Sequence, residues 1–355
     1  MRAKIAYLPG DGIGPEVTRE ARRILDGVAE VFGHQFTAVE CPIGGAAIDA
    51  HGEPLPGETR EAVAGADAIF LGAVGGPAWD HLQGEARPES GLLDLRQTLN
   101  LFANLRPVKP HPRLARFSPL RLEILDGVDL LVVRELTGGI YFGEKESGPD
   151  AASDLCSYSR AEIERVVRRA GHWARQRRGK LTLVDKANVL ATSRLWRDVT
   201  TEIVRREFSD LDFEVLLVDA AAMHLLTRPA DFDVIVTENL FGDILTDEAG
   251  AICGSLGLLG SASLGPSRPG LFEPIHGSAP DLAGQGRANP VGAMTSAALL
   301  LRHGLGLSAE ADTVDAAVAE VLATDLRTPD LGGRATTREV GDAVRERILR
   351  ARLAA

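Results

Sequence analysis

Lys4-Ile-Ala-Tyr-Leu-Pro-Gly-Asp-Gly-Ile-Gly-Pro-Glu16 opens on a short apolar run, passes through a glycine-rich turn and reaches Pro15, where a helical pattern begins. Residues 4–8 predict a buried strand, and 15–31 predict a helix with Val17, Ala21, Ile24, Leu25 and Val28 on one face. A strand that feeds a helix through a tight turn is the first unit of an α/β architecture. Gly10, Gly12 and Gly14 form G-x-G-x-G followed by Pro15 and Glu16. The spacing of the third glycine that lets a pyrophosphate approach a Rossmann helix is missing. The turn therefore reads as a conformational connection rather than a dinucleotide fingerprint.

The alternation continues along the chain. Apolar runs at 68–72, 129–133, 181–184, 215–218 and 234–236 predict strands, and 91–100, 195–208, 290–302 and 314–323 carry helical periodicity. Another helix is expected to begin at 243 and run to 252, while the Gly/Ser/Pro-rich stretch 254–269 reads as a long loop. No period between about 20 and 50 residues repeats, which argues against a solenoid. Apolar strands between helices predict sheets covered on both faces.

At 355 residues, 45% hydrophobic and 25% charged, the chain is long enough for two globular domains. Its net charge of −11 argues against a nucleic-acid or anionic-membrane partner, so any anion site must be a local positive pocket. No apolar run approaches the roughly 20 residues of a membrane span, and the strand-like N-terminus lacks a signal peptide, so a soluble, cytoplasmic protein is expected. Cys41, Cys156 and Cys253 are odd in number and far apart. They predict neither a disulfide framework nor a metal site.

Three arginines lie in otherwise apolar runs: Arg96 in Gly-Leu-Leu-Asp-Leu-Arg, Arg106 in Leu-Phe-Ala-Asn-Leu-Arg-Pro and Arg134 in Asp-Leu-Leu-Val-Val-Arg-Glu-Leu. A guanidinium keeps its charge on burial and fits carboxylate or phosphate with two parallel donors, so the set points to a small polyanion; pairing with acids such as Asp94 or Glu135 is the alternative. In Thr237-Glu-Asn-Leu-Phe-Gly-Asp-Ile-Leu-Thr-Asp247, Asp243 and Asp247 fall one turn apart at the expected helix start, and Asp219 ends the strand at 215–218. Oxygen donors from separate elements suit Mg²⁺ or Mn²⁺, although acids early in a helix also serve its dipole. Lys186, just beyond the strand at 181–184, is a candidate base or a surface lysine. Tyr141 follows two glycines after the Arg134 strand and is a candidate acid or a packed ring. The stretch 272–290 has no regular pattern, and a loop of such length is commonly functional. His276, Asp281 and Asn289 supply hydrogen-bonding groups there, and Gly277, Gly284 and Gly286 allow close backbone approach.

Together these motifs resemble the metal-dependent decarboxylating dehydrogenases, the family of isopropylmalate, isocitrate, homoisocitrate and tartrate dehydrogenases. The resemblance spans essentially the whole chain and rests on residues 10–16, the Arg96/Arg106/Arg134 set, 135–143, 185–190, 239–247 and 276–281. It implies a two-domain, isopropylmalate-dehydrogenase-like α/β fold of non-Rossmann type. One domain would be discontinuous, from 1–101 and 254–355, and bind cofactor. The central domain, 102–253, would contribute substrate and metal residues and make a homodimer whose active sites are shared between subunits.

The activity implied is NAD-dependent, divalent-metal-dependent oxidative decarboxylation of (2R,3S)-3-isopropylmalate to 4-methyl-2-oxopentanoate and CO2, a step of leucine biosynthesis. Tartrate, D-malate or broad 3-alkylmalate dehydrogenases share the machinery, and a non-catalytic anion-binding protein is the alternative of a different class. By resemblance, Arg96, Arg106 and Arg134 would clamp two carboxylates. Asp243, Asp247 and Asp219 would hold Mg²⁺ or Mn²⁺, and Lys186 and Asp219, from the neighbouring subunit, would handle the hydroxyl proton. Tyr141 would protonate the decarboxylated intermediate. Leu92, Leu93 and Val189, with Glu89, would surround the isopropyl group. Gly76, Glu89, His276, Gly277, Ser278, Ala279, Pro280, Asp281, Leu282 and Asn289 would contact the cofactor, and the Asp281 carboxylate would favour NAD over NADP. Ser153-Asp-Leu-Cys-Ser departs from the family at its intersubunit arm, where an aromatic and more charges are usual.

Overall fold

The computed structural model describes residues 1–351 and is mixed α/β, divided into two compact units. The first comprises 1–101, 111–117 and the described residues from 255 on; the second comprises 102–110 and 118–254.

In the first unit the strands run in the order Gln35–Glu40, Arg2–Gly10, Ala68–Ala73, Leu271–Pro274 and Gly260–Leu264. The first four are parallel neighbours and the last is antiparallel. All six residues of Ala68–Ala73 are buried, as a parallel strand covered on both faces requires. Helices Gly14–Phe32, Val291–Leu299, Ser308–Leu322 and Thr337–Ala351 pack with one another beside these strands. The predicted apolar face of the first helix is buried.

The second unit repeats the arrangement: Ala103–Val108, antiparallel, then Leu130–Glu135, Val234–Thr237, Lys180–Asp185 and Asp212–Leu217 in parallel. Helices Arg160–Gln176 and Ala191–Glu207 pack together and against these strands. The first begins at a capping box in which Ser159 and Glu162 satisfy each other's backbone N–H groups. A two-stranded hairpin, Lys145–Ser147 with Ala152–Asp154, is exposed at every residue.

Four local expectations change. Asp219 lies in the first turn of the helix Val218–Thr227 rather than at a strand end, because the preceding strand stops at Leu217. The helix carrying Asp243 and Asp247 starts earlier, at Asn239, where the Glu238 side chain caps the Phe241 N–H at 2.9 Å. The stretch 254–269 contains the strand Gly260–Leu264, and 272–290 begins within the strand Leu271–Pro274. The missed strand has almost no large side chain, and a Cβ on Gly260 would lie 2.6 Å from the Ser296 nitrogen. Its antiparallel ladder to Leu271–Pro274 and the close approach of the helix Val291–Leu299, rather than apolar patterning, define that strand.

Candidate active site

Antiparallel pairing sets Arg134 opposite Asn104 and Val132 opposite Arg106. Alternation along the strands then puts Arg106 and Arg134 on one face. Their guanidinium-bearing side chains are nearly buried, at 10% and 3% exposure. The helix Asn239–Ile252 supplies their partners. Arg134 gives its Nε and Nη2 hydrogens to Asn239 Oδ1, at 2.9 and 2.7 Å, and its Nη1 to Asp243. Arg106 gives Nε to Asn104 Oδ1 at 2.9 Å and Nη1 to Thr246 Oγ1 at 2.6 Å, with Asp247 at 3.4 Å and Asp243 at 3.6 Å. Gly242 makes room for the Arg134 stem, since a Cβ there would lie 2.6 Å from Arg134 Cγ.

Tyr141 completes this group. Its hydroxyl donates to Asp243 Oδ2 at 2.5 Å, and the Arg134 guanidinium stands 5.4 Å from its ring centre. Burial, then the Asp243 hydrogen bond and charge, push the phenol up to about 12, so it keeps its proton at neutral pH. Burial also raises Asp247, with the Asp243 charge adding to it and Arg106 opposing. Two half-exposed carboxylates one helical turn apart form a hard oxygen donor pair suited to a divalent cation. Among the described residues, no three acidic, histidine or cysteine side chains of one chain gather into a metal-holding group. Asp219 is instead joined to Lys186, whose Nζ donates to its Oδ1 at 2.8 Å and holds the carboxyl below its usual range. Val189, Leu190, Met223, Leu226 and Ile244 leave apolar surface exposed on this same unit.

The remaining expected residues belong to the first unit. Arg96 pairs with Glu273 at 2.7 Å. One turn back on the helix Pro88–Thr98, Leu92 packs against the core that includes Leu71 and Leu95, and Leu93 is half-buried. Glu89 is exposed on the first turn of that helix, and its Oε1 is 2.7 Å from where a Cβ on Gly75, next to Gly76, would stand.

In the 276–289 stretch His276 Nδ1 meets its neighbour's Gly277 oxygen at 2.9 Å, while its buried Nε2 has no partner. Ala279 is left-handed at φ 36°, and Pro280–Leu282 forms a short 3-10 turn that exposes Asp281. A non-glycine residue in that conformation and an orphaned ring nitrogen are features that gather where ligands bind. Asn289 differs: its amide donates to Asp330 at 2.9 Å and accepts from the Val291 N–H at 3.1 Å, so both ends serve the protein.

The opening turn proves to be the anchor of this stretch. Asp11, 3% exposed, accepts backbone N–H groups of Gly45, Ala46 and Gly75 at 2.8, 2.7 and 2.8 Å. Ile13 N–H donates to the Ser278 oxygen at 2.8 Å, and Gly284 N–H donates to Glu16. Gly12 sits at φ 59°, and a Cβ there would lie 2.0 Å from that Ser278 oxygen. Sequence reasoning gave no role to Asp11, Asn104, Asn239, Thr246 or Glu273. Asn104 and Asn239 stand inside quoted motifs, and their amides beside the arginines are the signal that could have marked them.

The model of the isocitrate/isopropylmalate dehydrogenase family matches residues 4–344. The chain belongs to that family. It is 54% identical over 353 residues to a 3-isopropylmalate dehydrogenase of Rhodopirellula baltica, covering 97% of this chain and 98% of that one. It is 56% identical over 337 residues to a 3-isopropylmalate dehydrogenase of Bacillus subtilis, covering 93% and 92%. Among solved structures it is similar to an isocitrate dehydrogenase of Methylococcus capsulatus, with TM-score 0.87, 35% identity and coverage of 98% and 99%. As a family member the chain is an oxidoreductase whose motif residues fall in both compact units.

Proposed function

We infer that this chain oxidises and decarboxylates 3-isopropylmalate in leucine biosynthesis, using NAD and a divalent metal. The observation that carries the reading is the grouping of two buried arginines, a protonated phenol and two carboxylates on one helix face. Relatives covering nearly the whole chain at 54–56% identity carry the name of this enzyme.

Arg106 and Arg134, with Arg96, bind and orient the substrate's two carboxylates. When bound, a divalent cation held by Asp243, Asp247 and Asp219 of the partner subunit supplies Lewis acidity at the 2-hydroxyl, and NAD supplies the hydride acceptor. Lys186, also contributed by a second copy, acts on the hydroxyl proton together with the Asp219 carboxylate to which its Nζ is bonded, or with water. Tyr141 Oη holds the proton delivered to C3 after loss of CO2, and its raised pKa keeps it available. Leu92, Leu93 and Val189 present apolar surface to the isopropyl group. The exposed Asp281 carboxylate accepts from a ribose 2′-hydroxyl and repels a 2′-phosphate, while His276 Nε2 offers an unspent hydrogen-bonding position. The exposed apolar side chains Met223, Leu226 and Ile244 support the homodimer that brings Lys186 and Asp219 across.

NADH formation from 3-isopropylmalate with Mg²⁺ or Mn²⁺ tests the reading, and comparable efficiency with NADP would refute the role of Asp281. Tyr141→Phe is expected to lower kcat by about a hundredfold with little change in substrate KM. An unchanged turnover would remove its role.

A further inference from the structure

The arginines are anchored in two different ways. Arg96 is held by a carboxylate, Glu273, whereas the Nε sides of Arg106 and Arg134 are held by the neutral amides of Asn104 and Asn239, and it is their Nη nitrogens that meet the carboxylates Asp243 and Asp247. Both asparagines are buried, at 0% and 1% exposure. Asn239 is further fixed from behind, with its Nδ2 donating to the Gly138 oxygen at 3.0 Å and its backbone N–H donating to Tyr158 Oη at 3.0 Å. Its oxygen therefore has one orientation, facing the guanidinium.

A carboxylate would make the stronger anchor for a buried guanidinium, because it forms a charge-assisted pair. It would also neutralise the cation. An amide fixes the planar fork while leaving its charge for another anion. The neighbouring acids Asp243 and Asp247 are the groups assigned to the metal, so an anchor that added a third negative charge would work against an incoming dianion.

We propose that Asn104 and Asn239 are positioning residues that hold Arg106 and Arg134 through neutral amides, keeping their positive charge for the substrate's carboxylates. The proposal deepens the 3-isopropylmalate reading and rests on it. Asn→Asp at either position is nearly isosteric and inserts the charge.

The test is the substrate KM, the NAD KM and the melting temperature of N104D and N239D beside N104S and N239S, with calorimetric titration of 3-isopropylmalate into each protein without NAD. The Asp variants are expected to raise substrate KM and Kd by about tenfold or more while leaving the NAD KM within about twofold. The Ser variants, which remove the amide without adding charge, should weaken substrate less. Because the carboxylate introduced by N239D would face the Gly138 oxygen, Asn104 provides the independent position if that variant does not fold. Substrate KM and Kd within about twofold of wild type in the Asp variants would overturn the proposal, as would Ser variants weakened as much as Asp variants. A wild type that binds 3-isopropylmalate but does not turn it over refutes the functional reading alone, since the Kd comparison still decides the asparagines. No binding refutes both.

Discussion

In the unit formed by 102–110 and 118–254, the polar groups sit on side chains projecting from adjacent strands (Arg106, Arg134), one helix (Asp243, Asp247) and the short 3-10 turn Gly139–Tyr141 (Tyr141). In the other unit, the 276–289 stretch is tied through its backbone to the opening turn, by Ile13 N–H on the Ser278 oxygen and Glu16 on Gly284 N–H, while Asp11 of that turn holds the N–H groups of Gly45, Ala46 and Gly75. A site of charges on regular elements depends on the identity of each side chain. A backbone-shaped loop depends on its remote anchors and tolerates change at its tip. The family's motifs divide in the same way: 239–247 carries the carboxylates proposed for the metal, and 10–16 holds neighbouring backbone in place.

Three perturbations break or sharpen this contrast, beginning with the largest effect. Arg134→Met removes a buried cation together with its hydrogen bonds to Asn239 and Asp243, so kcat/KM for 3-isopropylmalate should fall by about a thousandfold. Initial rates on a variant with native circular dichroism check this, and a loss below about tenfold would place the charge elsewhere. Asp11→Ala orphans three buried N–H donors and should destabilise the protein by about 3 kcal/mol, read from urea unfolding. Its NAD KM should rise more than its substrate KM, and the opposite order would break the assignment of the turn to the loop.

The smallest effect concerns acid. Burial, then the Arg302 charge, depress His303 to about 4, so the folded protein keeps this ring neutral. The unfolded chain takes up a proton below about pH 6.5, so stability present above that pH is lost as pH falls toward 4, by about 1.4 kcal/mol per pH unit. His303→Gln should therefore lose less urea resistance than wild type between pH 7 and 5. Parallel losses would contradict the assignment.

Much of the fold was legible because the buried parallel strands are mostly apolar runs, as at 68–72 and 234–236, and the first helix has an unbroken apolar stripe, whereas the half-exposed strand Gln35–Glu40 carries no such run. The strand Gly260–Leu264 was not legible: Gly-Ser-Ala-Ser carries no strand pattern, and only its neighbours define it. The helix Arg160–Gln176 does have a local signal, the Ser159/Glu162 capping box, which apolar runs alone do not reveal. In the site, the arginines, Tyr141 and the two helix aspartates could be named from the sequence because their residue types imply chemistry. Asn104 and Asn239 could not be assigned a role, because an amide acquires one only when the guanidinium it faces is known. Asp11 likewise reads as a turn residue until its three N–H partners, far away in sequence, are brought to it.

The central claim is that buried, amide-anchored arginines serve a dicarboxylate with an apolar substituent. Its most direct test is kcat/KM for 3-isopropylmalate, D-malate, tartrate, homoisocitrate and isocitrate with NAD and Mg²⁺ or Mn²⁺. The account predicts that 3-isopropylmalate is preferred over every other substrate, with weaker activity on D-malate. A higher value for isocitrate, homoisocitrate or tartrate would contradict it.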